Sequence, residues 1–447
     1  MKQWAVYEKR TGLWVLRSDE SAAGLVRKVV ERAEKEEAGT YSADAGSGSK
    51  GEASARAEFR SWIRKQRSSA RIDAMLKLAK SKRSLKTTVA EFDARPELLH
   101  CANGVLDLRT RELLPFSADH LSTVSTGVVY EQGARDALWD SYLDTFLPDL
   151  KLQKFVQRVM GYALLEGNPE RLFVIVCGGT SSGKSTLNEA VMAAMGGYAR
   201  PFNLTVFCAN KDEKPRADVA DILHRRYVST VEASADWHLH ADQIKRVTGG
   251  DKLAARYPWD KADTIRVPAF APYIFTNAVP TIKGRDRALD RRLMVLPFER
   301  TISPENDRHG AREQLVASES ARRAVLAWLV EGLTAYLADE GLGKVPKVVR
   351  AAIEEAKFSF SDIDRFFAEM CEFDDDYVVR PAEIYDAYTR WSHTQGVPER
   401  EIVSNPSFGI SLANRGYEKG KGYPDGPGTK RTWVRRGIRL REALWKP

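Results

Sequence analysis

The sequence is poor in the residues that build disulfide-bonded or transition-metal proteins. Its 447 residues include only 4 cysteines and 7 histidines. The cysteines form no CxxC pair, which indicates reduced structural thiols rather than a disulfide framework or a zinc site. His238 and His240 lie in a WHLH run without further ligand residues nearby. We therefore expect no transition-metal centre.

Long apolar runs are also missing. No segment approaches the roughly 18 consecutive apolar residues of a membrane-spanning helix. The first residues, MKQWAVYEKR, contain no apolar core of the kind found in signal peptides. We therefore expect a soluble, cytoplasmic protein with no membrane partner.

Acidic residues are too few to balance the basic ones, and the formal net charge is +8. The excess is uneven: residues 54–86 hold eleven Lys and Arg against two acids, and residues 405–447 hold ten against three. Clustered positive charge favours a polyanionic partner, although many basic proteins have none. These two segments are the predicted DNA-facing regions, with a merely solvated surface as the alternative for 54–86.

One stretch, RLFVIVCGGTSSGKSTLNEA at residues 171–190, matches the pattern G-x-x-x-x-G-K-[ST]. The flanks at 172–176 and 187–195 have the apolar patterns of a buried strand and a helix, so the turn precedes a helix N-terminus. In such a loop, backbone N–H groups and a lysine bind phosphates, and a hydroxyl binds Mg²⁺. The predicted ATP-binding residues are Gly178, Gly179, Thr180, Ser181, Ser182, Gly183, Lys184, Ser185 and Thr186.

Short apolar runs alternate with helix-like blocks around this loop. Predicted strands at 173–176, 227–231, 273–276 and 293–296 are typical of a buried parallel sheet. The expected fold class is α/β, with an AAA+-like P-loop ATPase core of three layers, a mostly helical N-terminal domain and a C-terminal winged helix. The predicted domains are 1–54 (hairpin, helix and flexible loop), 55–167 (helical), 168–345 (ATPase) and 358–447 (winged helix).

The rest of an ATPase site needs an acid and water-orienting groups on neighbouring strands. Glu232 ends the strand RRYVSTVEAS, and Asn277 ends the strand in IFTNAVP. Arg291 and Arg292 precede the last strand and could neutralise transition-state charge across a subunit interface. The alternatives are a surface carboxylate, an asparagine that starts a turn, and two solvated arginines.

Residues 244–267 contain two strand-like flanks around a basic and aromatic tip. Lysine can bind phosphate and aromatic rings can stack on bases, which favours contact with single-stranded DNA. The other possibility is a hairpin that only packs between subunits. The candidate DNA-binding residues are Lys252, Arg256, Trp259 and Lys261.

The ordered motifs GGTSSGKST, VSTVEAS, IKRVTGGDKLAAR, YIFTNAVP and LDRRLMVLPF resemble the superfamily 3 helicase core of phage and plasmid primase–helicases, close to the poxvirus-type enzyme. The upstream ELLHCANGVLDLRTRELLPF and the C-terminal AEIYDAYTRWSHTQG are similar to the flanking domains of that family. The resemblance implies homo-hexamers, encoded by a phage or plasmid in a bacterial host. They would use ATP and Mg²⁺ to move 3′ to 5′ along single-stranded DNA at forks.

The resemblance also implies roles for individual residues. Lys184 and Ser185 would bind phosphate and Mg²⁺, Asn277 would sense the γ-phosphate, and Arg291 or Arg292 would be the arginine finger. Many members carry two adjacent acids on the second strand, whereas here Ala233 and Ser234 follow Glu232. Whether Glu232 holds Mg²⁺ or activates water stays open, and Asp236 is a candidate to share the task.

A priming activity would need paired carboxylates on a strand to hold two metals. The one tempting pair, Asp362 and Asp364, precedes an amphipathic helix, so we expect Asp362 to cap that helix. About 55 residues ahead of the recognisable part are too few for a polymerising domain. We therefore expect a separate primase or polymerase as the partner.

The leading hypothesis is thus an ATP-dependent hexameric DNA helicase for phage or plasmid replication. The alternative is an origin-binding initiator in which ATP switches assembly without processive unwinding. A packaging or transposition ATPase would share the phosphate loop but would not predict the TGGDKLAAR element. Ring stoichiometry, origin sequence and loader stay open.

Overall fold

The computed structural model divides the chain into two compact units. The first unit comprises residues 1–134 and 194–198, and the second comprises 135–193 and 199–447. None of the helices in the described ranges combines the length and apolarity needed to cross a membrane. The structure describes residues 4–42, 50–208, 217–231, 238–255, 264–283, 286–302, 310–359, 362–397, 399, 402–424, 426 and 428–441.

The first unit begins with a β-hairpin and three helices. Its elements are β1 (Trp4–Glu8), β2 (Leu13–Arg17), α1 (Asp19–Ser42), α2 (Lys50–Gln66) and α3 (Ser69–Ser81). β1 and β2 pair antiparallel, which confirms the predicted hairpin. Ala22 of α1 packs against Ile72 and Leu76 of α3. Burial of these apolar side chains joins the two helices.

A small sheet completes the first unit. It contains β3 (Leu98–Cys101), β4 (Gly104–Asp107) and β5 (Leu113–Leu114), in the order β3-β4-β5 with antiparallel pairs. β4 and β5 lie on either side of the turn at residues 108–112, where Arg111 adopts a φ of 65°. The N-terminal region is therefore less purely helical than the sequence analysis expected, because the residues of β3 and β4 are buried in a sheet.

The segment 137–338 contains a five-stranded sheet and its helices. Its elements are α4 (Ala137–Phe146), α5 (Leu150–Gly161), β6 (Phe173–Cys177), α6 (Lys184–Met195), β7 (Ala199–Pro201), α7 (Ala217–Ile222), β8 (Tyr227–Val231), β9 (His238–His240), α8 (Ala241–Thr248), β10 (Leu253–Ala255), β11 (Thr264–Arg266), β12 (Ala271–Thr276), β13 (Thr281–Lys283), α9 (Arg287–Asp290), β14 (Leu293–Pro297), α10 (Ala311–Ala317) and α11 (Glu319–Ala338).

Five of these strands form a parallel sheet in the order β14-β6-β12-β8-β7. All residues of β12 are buried, as expected for a strand in the middle of a parallel sheet. Cys177 at the end of β6 pairs with Thr276 on one side and Pro297 on the other. The carboxyl ends of β6, β12 and β14 therefore meet at one edge. The predicted α/β class and parallel sheet are confirmed.

Helices α4 and α5 pack against α11. A Cβ on Gly161 would lie 2.4 Å from the carbonyl oxygen of Leu329, so α5 and α11 are in close backbone contact. The rings of Trp139 and Trp328 meet edge to face at 5.2 Å. The structure thus groups α4 and α5 with the sheet-bearing unit, whereas the sequence analysis placed them in the domain 55–167. Periodicity shows which helix face is buried but not which element covers it.

The C-terminal part contains α12 (Lys347–Ser359), α13 (Asp362–Met370), β15 (Cys371–Val379), α14 (Pro381–Thr394), α15 (Asn405–Asn414), β16 (Lys419–Gly422) and β17 (Thr432–Leu440). Three strands form an antiparallel sheet in the order β15-β17-β16. The core includes Phe366, Tyr388 and Phe408, whose rings contact one another. The helices α13, α14 and α15 precede the hairpin of β16 and β17, and the strand β15 was not predicted because its acidic run DDD is typical of a loop.

Candidate functional site

The loop 178–183 joins β6 to α6 and has a constrained backbone. Ser181 and Gly183 have positive φ angles of 58° and 81°. A Cβ on Gly183 would lie 2.6 Å from the Phe146 ring, and one on Gly178 would lie 2.0 Å from the carbonyl oxygen of Phe298. Both glycines of the sequence pattern are therefore required by close packing. The loop lies at the carboxyl end of β6 and leads directly into the helix that begins at Lys184.

Lys184 points into this loop. Its side chain is 6% exposed, and Nζ donates hydrogen bonds to the carbonyl oxygens of Gly178 (2.7 Å) and Gly179 (2.6 Å) and to Ser182 Oγ (2.9 Å). Burial lowers the pKa of Lys184. These three acceptors are all uncharged, so an anion that entered the loop would meet a desolvated cation with no opposing charge from them.

Two hydrogen bonds, one to the loop and one to the helix that follows it, were missed by sequence reasoning. Tyr142 of α4 donates its phenolic hydrogen to the Gly183 carbonyl oxygen at 2.9 Å. Tyr227 of β8 donates to Asn188 Oδ1 of α6 at 2.7 Å. The sequence indicated that Tyr142 lies on a buried helix face, but no local pattern connects it with a loop 41 residues away.

Asn277 is brought next to the loop. It directly follows β12, which pairs with β6 on one side and β8 on the other. The Cys177 thiol contacts the Asn277 carbonyl oxygen at 3.7 Å, and Asn277 is exposed. In open α/β sheets, ligands bind in a crevice at the carboxyl ends of two adjacent strands. The crevice forms where the connections that leave these strands run in opposite directions along the sheet.

β8 ends at Val231 on the same sheet edge, immediately before Glu232. Glu232 itself and Asp236 lie outside the described residues. Among the residues that the structure describes, no group of three or more His, Cys, Asp and Glu side chains could hold a metal. The half-buried Ser185, in the first turn of α6, is an oxygen donor of the kind Mg²⁺ prefers.

A carboxylate from a distant part of the chain also approaches this edge. Burial raises the pKa of the Cys177 thiol, Lys184 opposes the shift, and the negative charge of Glu355 on α12 adds to it. Ala352 and Ile353 of the same helix pack against the hydrophobic core of the sheet. Sequence reasoning missed Glu355 because it lies more than 170 residues after the loop in a helix with no motif.

Arg291 and Arg292 lie at the amino ends of the strands, opposite the carboxyl ends where the loop lies. They precede β14, and the Phe173 N–H at the start of β6 donates to the Arg292 carbonyl oxygen at 2.7 Å. A strand of five residues, about 13–17 Å long, therefore separates them from the loop of the same chain. Arg291 is exposed, whereas Arg292 is half-buried. Burial, followed by repulsion from Arg171, lowers the pKa of Arg292.

The structure contains the two strands of the hairpin predicted within residues 244–267. β10 and β11 pair antiparallel, with Leu253 opposite Arg266. Lys252 is exposed just before β10. The tip residues Arg256, Trp259 and Lys261 lie outside the described residues. Their contact with DNA stays a prediction.

Comparison with known proteins gives a family match for the first third of the chain. Residues 1–148 match the family described as D5 N terminal like. Three viral proteins are also similar to this chain, over 193 to 270 residues. L207/L206 of Acanthamoeba polyphaga mimivirus, named as a candidate helicase, is 26% identical over 213 residues, which cover 46% of this chain and 22% of that protein. Protein 022R of Frog virus 3, also named as a candidate helicase, is 24% identical over 270 residues, 56% of this chain and 27% of that protein.

The third relative is C962R of African swine fever virus (isolate Tick/Malawi/Lil 20-1/1983), named as a candidate primase. It is 23% identical over 193 residues, which cover 41% of this chain and 20% of that protein. The chain thus matches between a fifth and about a quarter of the length of these relatives. Together, the family match and the viral relatives support a relationship to the D5-like primase–helicase family.

Among solved structures, the apo A form of the NrS-1 C-terminal region is similar with a TM-score of 0.41 and 12% identity. The match covers 78% of this chain and 77% of that one.

Proposed function

We propose that this protein is an ATP-dependent DNA helicase that acts in DNA replication. The observation that carries the proposal is the position of Lys184, a buried cation held by neutral oxygens inside a glycine loop at the carboxyl edge of a parallel sheet. Relatives named as candidate helicases in large DNA viruses support it. In this proposal residues 178–186 form the P-loop of an AAA+-like, superfamily 3 core.

ATP would bind with its phosphates in the loop. Backbone N–H groups and Lys184 would hold the phosphate oxygens, and Ser185 together with Glu232 would hold Mg²⁺, which neutralises charge on the transferred phosphoryl group. Asn277, which follows the strand beside the loop, would orient the attacking water. Lys184 Nζ would then leave the carbonyl oxygens of Gly178 and Gly179 and bind phosphate oxygens instead. This move favours ATP binding, because hydrogen bonds to charged acceptors are stronger than those to neutral ones.

The arginine finger would come from a neighbouring subunit of a hexamer. Both candidate arginines lie at the amino end of β14, so neither can serve the loop of its own chain without crossing the length of the sheet. We assign the finger to Arg291, because an exposed guanidinium can enter a neighbour's site whereas Arg292 is half-buried. Hydrolysis would then depend on assembly.

Single-stranded DNA would pass the hairpin of β10 and β11, with Lys252, Arg256, Trp259 and Lys261 as contacts. The proposed direction is 3′ to 5′. The C-terminal helices and sheet would be a winged helix that binds DNA. A separate primase or polymerase would supply the primers.

The deciding experiment measures ATP hydrolysis and strand displacement on forks with a 3′ or a 5′ single-stranded tail. Wild type is compared with Lys184→Ala and with Lys344→Ala, which removes an exposed lysine outside the proposed site. Unwinding from the 3′ tail that is lost only in Lys184→Ala supports the motor. ATP-dependent assembly on duplex DNA without unwinding would instead support an origin-binding initiator in which ATP is a switch.

A further inference from the structure

The C-terminal hairpin carries an exposed tryptophan between two lysines. Trp433 of β17 is 52% exposed. Lys421 lies directly opposite it on β16, and Lys419 lies two residues before Lys421 on the same face. Their Nζ atoms approach the Trp433 ring centroid at 5.8 Å and 5.2 Å. A large apolar ring is thus held at the surface and bordered by positive charge.

A groove with a volume of about 630 Å³ lies beside this face, between α15 and the β16–β17 hairpin. Lys419, Glu418 and Arg435 are among its lining residues. Arg435 is only 8% exposed and donates to the carbonyl oxygens of Tyr417 (2.9 Å) and Gly409 (2.8 Å), while its Nε has no partner in the described residues. These carbonyl oxygens are neutral acceptors, and the two cations Lys419 and Arg435 outnumber the one carboxylate, Glu418, in the lining, which makes the groove attractive to an anion.

The helix beside the groove lacks such charge. α15 has the sequence NPSFGISLAN, without lysine or arginine, and Ile410 on it is 61% exposed. Arginine and lysine make the commonest specific contacts with bases in a major groove. The positive charge of this region lies on the hairpin instead, where an aromatic ring can stack on an unpaired base of any sequence.

We propose that the face formed by Lys419, Lys421 and Trp433 binds single-stranded nucleic acid, with a base stacked on Trp433 and phosphates beside the two lysines. This inference deepens the proposed function, on which it rests, by giving the C-terminal hairpin a single strand rather than a duplex as its ligand. The lysines that cover the ring in the free protein move to phosphates when the strand binds.

The test uses the full chain without nucleotide and compares Trp433→Leu with Phe373→Leu. Phe373 is exposed to a similar extent (48%) in the same region but is followed by Asp374, Asp375 and Asp376, so it is the matched control. Affinity for a labelled thymidine oligonucleotide and for a duplex is measured by fluorescence anisotropy. Trp433→Leu should weaken single-strand binding about 5-fold to 100-fold. Phe373→Leu should leave it unchanged.

The lysines are tested by salt dependence. Lys419→Gln/Lys421→Gln should reduce the slope of log affinity against log salt by about 1.4, since each lost phosphate contact removes about 0.7. Lys344→Gln/Lys347→Gln removes two exposed lysines outside the proposed face and should not change the slope. Basal ATP hydrolysis of the two control variants, Phe373→Leu and Lys344→Gln/Lys347→Gln, should equal that of wild type. Its absence from wild type would reject the proposed motor while leaving the binding result interpretable.

Photocrosslinking of wild type to an oligonucleotide that contains iododeoxyuridine gives a readout without any substitution. A crosslink at Trp433, located by mass spectrometry, supports the proposal. Unchanged affinity in Trp433→Leu, an equal loss of duplex binding, or crosslinks confined to other regions such as 54–86 would each overturn it.

Discussion

Tyr142 donates a hydrogen bond to the Gly183 carbonyl oxygen at 2.9 Å, and this bond joins α4 to the loop that we propose as the phosphate site. Tyr142→Phe removes it and leaves the oxygen with one remaining donor, the Leu187 N–H at 3.0 Å. A single neutral hydrogen bond contributes about 0.5–1.5 kcal/mol. We expect the KM for ATP to rise about 2-fold to 10-fold, because the loop is held less firmly.

The matched control is Tyr162→Phe. The Tyr162 hydroxyl donates to Asn168 Oδ1 at 2.9 Å and accepts from the Glu170 N–H at 3.0 Å, outside the loop. Both variants should melt at a slightly lower temperature than wild type. Only Tyr142→Phe should change the KM, and an equal change in both would show that the effect is general destabilisation.

Gly183→Ala should disrupt the loop more severely. The new Cβ would collide with the Phe146 ring at a backbone φ of 81°, which costs about 1–2 kcal/mol for a non-glycine residue even without the collision. We expect ATP binding, measured with a fluorescent analogue, to fall by more than about tenfold, since overpacking adds a further 1–3 kcal/mol.

Two variants separate the causes of that loss. Gly179→Ala places a Cβ 3.5 Å from Thr301 Cγ2, which is ordinary contact, so binding should fall much less. Gly127→Ala has a positive φ of 67° but nothing within 4 Å of the new Cβ, so it should cost stability and leave ATP binding unchanged. Equal binding by Gly183→Ala and wild type would mean that the loop does not hold phosphate.

Local sequence patterns were sufficient for the loop and for four of the five strands of the parallel sheet, but not for the short β7. Apolar runs of four or five residues located β6, β8, β12 and β14 within two residues of their observed bounds. Strands buried on both faces leave a continuous apolar signal, and a glycine loop before a helix leaves a fixed spacing. Asn277 was placed beside the loop for the same reason, because it ends a neighbouring strand.

Contacts between distant segments could not be predicted in this way. Tyr142 and Glu355 reach the loop region from helices whose sequences indicate only amphipathic character. β15 pairs with β17 across more than 50 residues, and the exposed acidic residues in its middle obscure its strand pattern. The separation of Arg291 from the loop follows from strand direction, which the composition of a strand does not encode.

Cysteine reactivity should report on the loop. Burial raises the pKa of Cys101 and of Cys371 to about 12, and it also raises that of the half-buried Cys177. A raised pKa means less thiolate at a given pH, and the thiolate is the reactive form. Under native conditions at neutral pH, iodoacetamide should therefore modify Cys177 slowly and Cys101 and Cys371 more slowly still. Rates are measured by mass spectrometry.

ATP provides the internal comparison for that experiment. Bound nucleotide should slow modification of Cys177, which lies beside the loop, and should leave Cys101 and Cys371 unaffected. Rapid labelling of Cys371 in the folded protein would contradict the burial on which this prediction rests.

His100 should make the first unit sensitive to acid. It is 1% exposed, stacks on Phe116 at 4.9 Å and donates from Nε2 to the Thr11 carbonyl oxygen at 2.8 Å. Burial lowers its pKa, the charge of His120 lowers it further, and the Thr11 bond and Asp93 oppose the shift. Because the folded-state pKa lies below the unfolded one, stability should be full above about pH 6.5 and fall as the pH decreases from there toward the folded-state pKa.

The measurement is thermal unfolding of wild type and His100→Gln from neutral pH down to about pH 5. Glutamine keeps a donor for the Thr11 carbonyl oxygen and cannot titrate. The variant should be less stable at neutral pH but should lose less stability on acidification. The remaining loss is expected from His120, whose pKa is also lowered by burial. Identical acid dependence in both proteins would exclude His100 as the cause.

Arg291→Ala should abolish ATP hydrolysis while preserving ATP binding. Arginine fingers contribute about 10³-fold to 10⁵-fold to turnover and act only on the transition state. Arg292→Ala should have a smaller catalytic effect and should instead lower stability, because Arg292 is half-buried. Hydrolysis and nucleotide binding are measured separately for each variant.

A mixing experiment tests whether the finger acts between subunits. Lys184→Ala subunits keep Arg291, and Arg291→Ala subunits keep Lys184, so the proposed hexamer, if assembled from both, would contain some sites in which an intact loop faces an intact finger. Each variant alone should be inactive, and the mixture should regain part of the wild-type rate. A finger within one chain is not expected, because about 13–17 Å of sheet separates Arg291 from the loop of its own chain. A mixture as inactive as its parts would therefore exclude Arg291 as the arginine finger.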